Sequence, residues 1–129
     1  MAQIKIYGIK EHLNPIKQEF SEAIHACVVE ALSFPQEKRF HRFFPMERED
    51  MLYGAGRSDA YTIIEIMMIE GRTVKTKKRL IKLLFQRIEE KLAIDPHDIE
   101  ISIQESPASN WGFRGMTGDE IFLDYKVEV

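Results

Sequence analysis

An apolar strand, a long amphipathic helix and a second strand fill residues 2–46, and the same order returns over residues 60–105. A repeat with a period of about 60 residues leaves few ways to bury both copies, so it constrains the topology before any single motif does. In the first copy Gln3–Ile9 carries Ile4, Ile6 and Ile9, and Asn14-Pro15 opens a helical pattern. Asparagine is a good N-cap, and proline loses no hydrogen bond at the first helical position. Ile16, Phe20, Ala23, Ile24, Cys27, Val28 and Ala31 then recur at three- and four-residue steps, and Phe34-Pro35 stops the run, which predicts a helix over Pro15–Leu32. Arg39–Phe44 reads as the second strand.

In the second copy Tyr61–Ile69 is an apolar run containing Ile63, Ile64, Ile66 and Met67. Gly71 breaks it and Thr73 is a plausible N-cap for a helix over Val74–Ala93, with Ile81, Leu84, Ile88 and Leu92 as its buried stripe. Asp95-Pro96 ends that helix, and Ile99, Ile101 and Ile103 alternate with polar residues as a half-buried strand. Between the copies, Glu47–Ser58 reads as a polar loop, long enough to have a role. A last alternating strand is expected at Leu123–Val129. Right-handed strand–helix–strand units have parallel strands. The expectation is therefore an α+β fold with a four-stranded sheet and two helices on one face. The other sheet face has apolar side chains, so a neighbouring subunit should cover it.

The chain has 129 residues, enough for one domain with its own core, and residues 1–129 are read as that domain. A formal net charge of -3 gives no basic footprint for nucleic acid. Arg39, His41 and Arg42, interleaved with Phe40, Phe43 and Phe44, are explained as well by a half-buried strand with a solvated basic face. No stretch approaches the roughly 20 apolar residues of a membrane span, and no signal peptide is visible. A single cysteine, Cys27, cannot form an internal disulfide, so the expected home is reducing and cytoplasmic. Cys27 lies on the apolar helix face and reads as a buried structural thiol. His12, His25, His41 and His97 show no ligand spacing, so no metal is expected.

The strand–helix–strand order alone fits a ferredoxin-like sandwich as well as a tautomerase fold, which joins its halves differently. The residues favour the second. Gly56-Arg57-Ser58-Asp59-Ala60-Tyr61 runs into a buried strand that ends in Glu70-Gly71-Arg72-Thr73 ahead of a lysine-rich helix. Asp95-Pro96-His97-Asp98-Ile99 leads into the next strand, and Asn110-Trp111-Gly112-Phe113 follows it. Together these resemble the tautomerase superfamily, in particular its longer members similar to malonate semialdehyde decarboxylase, over essentially the whole chain. The resemblance implies a homotrimer with sheets facing inward and active sites near subunit boundaries. It also implies small 2-keto or enol carboxylic acids as ligands, with no metal and no organic cofactor.

The chain departs from that pattern at three places. The family uses an N-terminal proline, exposed by removal of the initiator methionine, as acid or base; the corresponding residue here is Ala2. Ala2 carries a free amine only if Met1 is removed, and a primary α-amine with a pKa near about 7.7–8 is a weak base. The family's acidic residue after the first helix is matched by Lys38, with Glu37 beside it, and its second arginine by Glu70.

The candidate ligand-binding residues are Arg72, Trp111, Phe113 and Arg114. Arg72 sits where a strand ends and a helix begins. Free N–H groups there suit an anion, and a guanidinium fork matches a carboxylate. The other reading is a surface arginine paired with Glu70 or Glu65. Trp111 and Phe113 match an apolar pocket wall in the family, or else cap the core or a subunit interface. Arg114 is a second cation or a rim residue, and Arg57 a salt-bridge partner. Two functions follow. One is a tautomerase-like protein acting on a small 2-keto or enol acid through an N-terminal amine and an arginine. The other is a non-catalytic trimeric binding or structural module that keeps the fold without the proline.

Overall fold

The computed structural model describes residues 2–121 and 127–129. Strand β1 (Ala2–Ile9) and strand β3 (Thr62–Ile69) stand antiparallel at the centre of a four-stranded sheet, with Ala2 opposite Met68 and Gly8 opposite Thr62. Strand β2 (His41–Met46) lies parallel on the outer side of β1, and strand β4 (Ile99–Ser106) parallel on the outer side of β3. The order is β2-β1-β3-β4, so each unit keeps its own two strands together and the halves meet at β1 and β3. This is the joining expected of a tautomerase fold; a ferredoxin-like sandwich would interleave the strands of the two halves. β1 and β3 even share one burial alternation along their eight residues.

The first helical segment begins earlier than its sequence pattern indicates. Helix α1 (Lys10–Leu13) follows β1 directly, a 3-10 turn occupies Asn14–Ile16, and helix α2 (Lys17–Leu32) continues. Asn14 is therefore not an N-cap. Its backbone is helical (φ -56, ψ -43) and its side chain caps nothing. Pro15, lacking an N–H, tightens the helix at that point without stopping it. Helix α3 (Val74–Leu92) starts where expected: the Thr73 side chain accepts from the Thr76 N–H at 3.1 Å. Both long helices end on a left-handed residue, Ser33 and Ala93.

α2 and α3 cover one face of the sheet. Phe20, Ile24, Cys27, Val28 and Leu32 of α2 and Leu80, Leu84 and Ile88 of α3 pack on Ile4, Ile6, Ile64, Ile66 and Met68. Burying each such side chain is worth about 1.5–3 kcal/mol. The buried stripe of α3 is thus Leu80, Leu84 and Ile88, with Ile81 and Leu92, expected in it, only half-buried at its margins. β2 runs two residues later than the Arg39–Phe44 expected.

The open sheet face also differs from expectation. Side chains alternate along a strand, so Ile64 and Ile66 turn to the helices, and Ile63, Glu65 and Met67 turn outward. Cross-strand pairing sets Arg42, Lys5, Glu65 and Ser102 in one row of that face, and Phe44, Tyr7, Ile63 and Glu100 in the next. It is a mixed face with an apolar row, and the Tyr7 and Phe44 rings stack at 4.7 Å.

Past β4 the chain makes a 3-10 turn (Ala108–Asn110) and a small hairpin of β5 (Gly112–Phe113) and β6 (Met116–Thr117), with Arg114 and Gly115 both at positive φ in its turn. The strand expected over Leu123–Val129 lies outside the described residues for 123–126. Val127–Val129 run as irregular chain against the start of α3. No described helix is long and apolar enough to cross a membrane.

Candidate functional site

Strand direction decides which loops meet. β1 is antiparallel to β3, and β2 and β4 follow their partners, so the starts of β1 and β2 share one sheet end with the finishes of β3 and β4. Ala2, the loop before β2, the Gly71–Thr73 turn and the segment through Trp111 therefore converge on that end. The 47–61 loop occupies the opposite one. There Arg57 bonds Glu100 at 2.6 Å, Tyr61 OH donates to Glu100, Tyr53 OH donates to Asp59, and Asp98 accepts from Ser58 N and Oγ. Burial and the Glu100 carboxylate push the Tyr61 hydroxyl up to about 12. Arg57 is a salt-bridge partner, and the long loop is a pinned connection remote from Arg72.

Arg72 is 5% exposed, which rules out the surface reading. Its Nη1 donates to the Ile69 carbonyl at 3.0 Å, folding the side chain back over the last turn of β3. Gly71, at φ +143, makes the reversal possible: a Cβ there would lie 2.9 Å from Val127 Cγ1. A left-handed position pressed against another segment admits glycine and little else.

Ala2 is buried at the first rung of β1, opposite Met68, and Met68 is opposite Glu105. Met1 lies outside the described residues. Gln3, next along β1, lines an open cavity of about 420 Å³ with Arg39, Phe40, His41 and Arg42. Phe113 lines another, of about 430 Å³, with Gly112, Met116 and Glu120 among its walls. Trp111 is half-buried, and its Nε1 is buried with no hydrogen-bond partner among the described residues. Gly118 fixes the indole's place, because a Cβ there would collide with the Ala108 carbonyl and lie 3.1 Å from Trp111 Cβ. Arg114 sits at the hairpin tip, its guanidinium 5.8 Å from the Phe113 ring centre.

Two features of this end escaped the sequence pattern. Glu105 stands where the Ile99, Ile101, Ile103 alternation reserves the next apolar slot, and that break was the available signal. Lys77 of α3 meets Glu105 Oε1 at 2.6 Å, tying the helix that follows Arg72 to the strand that precedes Trp111; Glu105 Oε2 is buried with no partner among the described residues. The second is a pair of histidines in edge-to-face contact at 6.0 Å, one on α2 and one on β2. His25 Nε2 donates to the Gln36 carbonyl at 2.7 Å, and His41 Nδ1 is 2.7 Å from Ser21 Oγ. Burial, then His25 and Arg39, push His41 down to about 4. Among the described residues no three His, Cys, Asp or Glu gather as metal ligands. Cys27 is fully buried and its thiol is pushed up to about 11, chiefly by that burial.

Residues 38–114 match the family model described as tautomerase enzyme. The chain belongs to the tautomerase family. Among curated relatives of this tautomerase-family chain, the probable tautomerase YusQ of Bacillus subtilis (strain 168) is 24% identical over 101 residues, covering 74% of this chain and 80% of the relative. The 2-hydroxymuconate tautomerase of Pseudomonas putida is 37% identical over 57 residues, 44% of this chain and 90% of that protein. In structure, malonate semialdehyde decarboxylase superposes with a TM-score of 0.79 at 22% identity, over 88% of this chain and 92% of that one. Native fused 4-OT superposes with a TM-score of 0.82 at 18% identity, over 92% and 98%. At these identities the superpositions establish the shared fold.

Proposed function

We propose that this tautomerase-family chain interconverts keto and enol forms of a small 2-keto carboxylic acid, with Arg72 holding the carboxylate and Trp111 and Phe113 forming an apolar wall. The observation that carries the reading is the placement of Arg72. A buried guanidinium stands on the turn between β3 and α3, at the sheet end where β1 begins. The proton carrier is the α-amine of Ala2 when Met1 has been removed, since that amine opens β1 at the same end. It takes a proton from carbon C3 and returns it to the enolate oxygen at C2. A positioned base of this kind contributes about 10²–10⁴-fold. The working form is a homotrimer, and solved relatives include a fused 4-OT described as an asymmetric trimer.

The test is tautomerisation of phenylpyruvate by free and N-acetylated protein, after intact mass has fixed whether Ala2 or Met1 leads the chain. Acetylation is expected to abolish turnover, and equal rates would remove the amine from the mechanism. Arg72→Ala is expected to weaken carboxylate binding by about 1.5–3 kcal/mol, the range for a hydrogen bond to a charged group. One observation favours a second reading, a binding module without turnover: Ala2 stands where the resemblance calls for a proline. Carboxylate binding that depends on Arg72, without turnover by either form, would select it.

A further inference from the structure

The turn that carries Arg72 is closed by a segment of the same chain. Val127 presses its Cγ1 against Gly71, and the Val129 carbonyl accepts from the Thr73 N–H at 3.2 Å and from Thr76 Oγ1 at 2.8 Å. The contacts fall on the residues on either side of Arg72, and Arg72 itself is 5% exposed. A carboxylate therefore reaches the guanidinium only after something over the turn has moved. The Val129 oxygen already occupies an acceptor position at the start of α3, where the first N–H groups of a helix have no partner within it. A ligand carboxylate would seek the same donors. Three further features make the segment a device for closing and not a fixed part of the core. Among the described residues it is joined to the turn by the hydrogen bonds of Thr73 and Thr76 to the Val129 carbonyl and by the packing of Val127 and Glu128 on Gly71. Its own structure is irregular. And Gly71, at φ +143, is shaped to admit it.

We infer that Val127–Val129 is an autoinhibitory strap, which competes with a ligand carboxylate for the Gly71–Thr76 turn and must leave before Arg72 can bind. The inference rests on the reading of Arg72 as the carboxylate-binding residue. When a competent state is populated only in part, apparent affinity falls by that fraction, so loosening the strap raises affinity. Thr76→Val removes the Oγ1–H donor to Val129 and leaves the Thr76 N–H capped by Thr73. The variant also removes the acceptor of the exposed Thr73 hydroxyl, which turns to water. Losing the one hydrogen bond of ordinary strength that ties down Val129 should tighten ligand binding about 2- to 10-fold.

The experiment titrates phenylpyruvate into the full chain, the Thr76→Val variant and the Arg72→Ala variant, following Trp111 fluorescence and the methyl NMR signals of Val127 and Val129. The expected result has three parts: tighter binding by Thr76→Val, weaker binding by Arg72→Ala, and Val127 and Val129 signals that move on saturation toward undocked positions. Equal or weaker binding by Thr76→Val, while Arg72→Ala still loses affinity, would overturn the strap and leave the Arg72 reading standing. Valine signals unmoved at saturation would do the same. Binding unchanged in Arg72→Ala, or undetectable in all three proteins, would remove the Arg72 reading and the strap together.

Discussion

His41, the first residue of β2, is held against α2 with Ser21 on one nitrogen, the His25 ring in edge-to-face contact and Arg39 two residues away. Burial disfavours a second proton on the imidazole, and the neighbouring His25 and Arg39 add to it, so His41 is pushed down to about 4 in the folded protein from 6.5 in the unfolded chain. As pH falls from 6.5, the unfolded chain takes up a proton that the folded one refuses. Stability therefore drops through that window and levels off below about 4. Urea midpoints measured between pH 7 and 4 should fall for the natural chain, and the part of that slope due to His41 should vanish in His41→Leu. An unchanged slope in the variant would acquit His41. Nothing in the sequence announced the pair. His25 and His41 are 16 positions apart and meet only because β2 returns beside α2. Arg72, by contrast, was legible, because the Gly-Arg-Thr sequence between an apolar run and a helical stripe fixes its place on a turn. Its burial was not legible, since that depends on a backbone reversal at Gly71 that folds the side chain back onto the Ile69 carbonyl, and no local pattern records it.

Elements were read best where one residue type has one use. Thr73 caps α3 as its position suggests, while Asn14, an equally good capping type, does not cap, because Lys10–Leu13 is already helical and the proline after Asn14 only tightens the path. The two substitutions should separate cleanly. Thr73→Ala should cost about 1 kcal/mol of stability, and Asn14→Ala should stay within about 0.5 kcal/mol of the natural chain. Thermal unfolding of both checks this, and similar losses in the two would contradict the assignment. The segment through Trp111 is set by a different constraint. Gly118 approaches Ala108 and Trp111 so closely that a methyl group cannot fit. Gly118→Ala should then displace the indole, at a cost of about 1–3 kcal/mol, visible as a shift in tryptophan emission with the helices intact by circular dichroism. Sequence placed an aromatic turn at 110–115, but a close approach between residues ten apart needs coordinates to be seen.

At the scale of the whole molecule, the repeat carried most of the fold: two strand–helix–strand units, in order, with their strands parallel. What it left open was which residues of each strand face outward, because an apolar run such as Ile63–Met67 has no alternation to read. The sheet resolves it. Ile64 is fully buried against the helices, while Ile63, next to it on the same central strand, faces outward in one row with Tyr7 and Phe44. An apolar row of this kind, flanked by Lys5 and Glu65 in the next row, is what the proposed trimer would cover. A charge placed at Ile63 should therefore break assembly and spare the fold, because the side chain is only half-buried, at the margin of the small cluster of Ile9, Met51 and Tyr61 and outside the main core under the helices. The same charge at Ile64 should unfold the chain, because a buried, unpaired guanidinium has no partner there. Sedimentation of the natural protein at micromolar concentration should show a trimer. Ile63→Arg should sediment as a monomer with its circular dichroism preserved, and Ile64→Arg should lose its helical signal. A natural chain that is already monomeric would mean that this face is left to solvent, and a trimer indifferent to Ile63→Arg would place the interface elsewhere on the molecule.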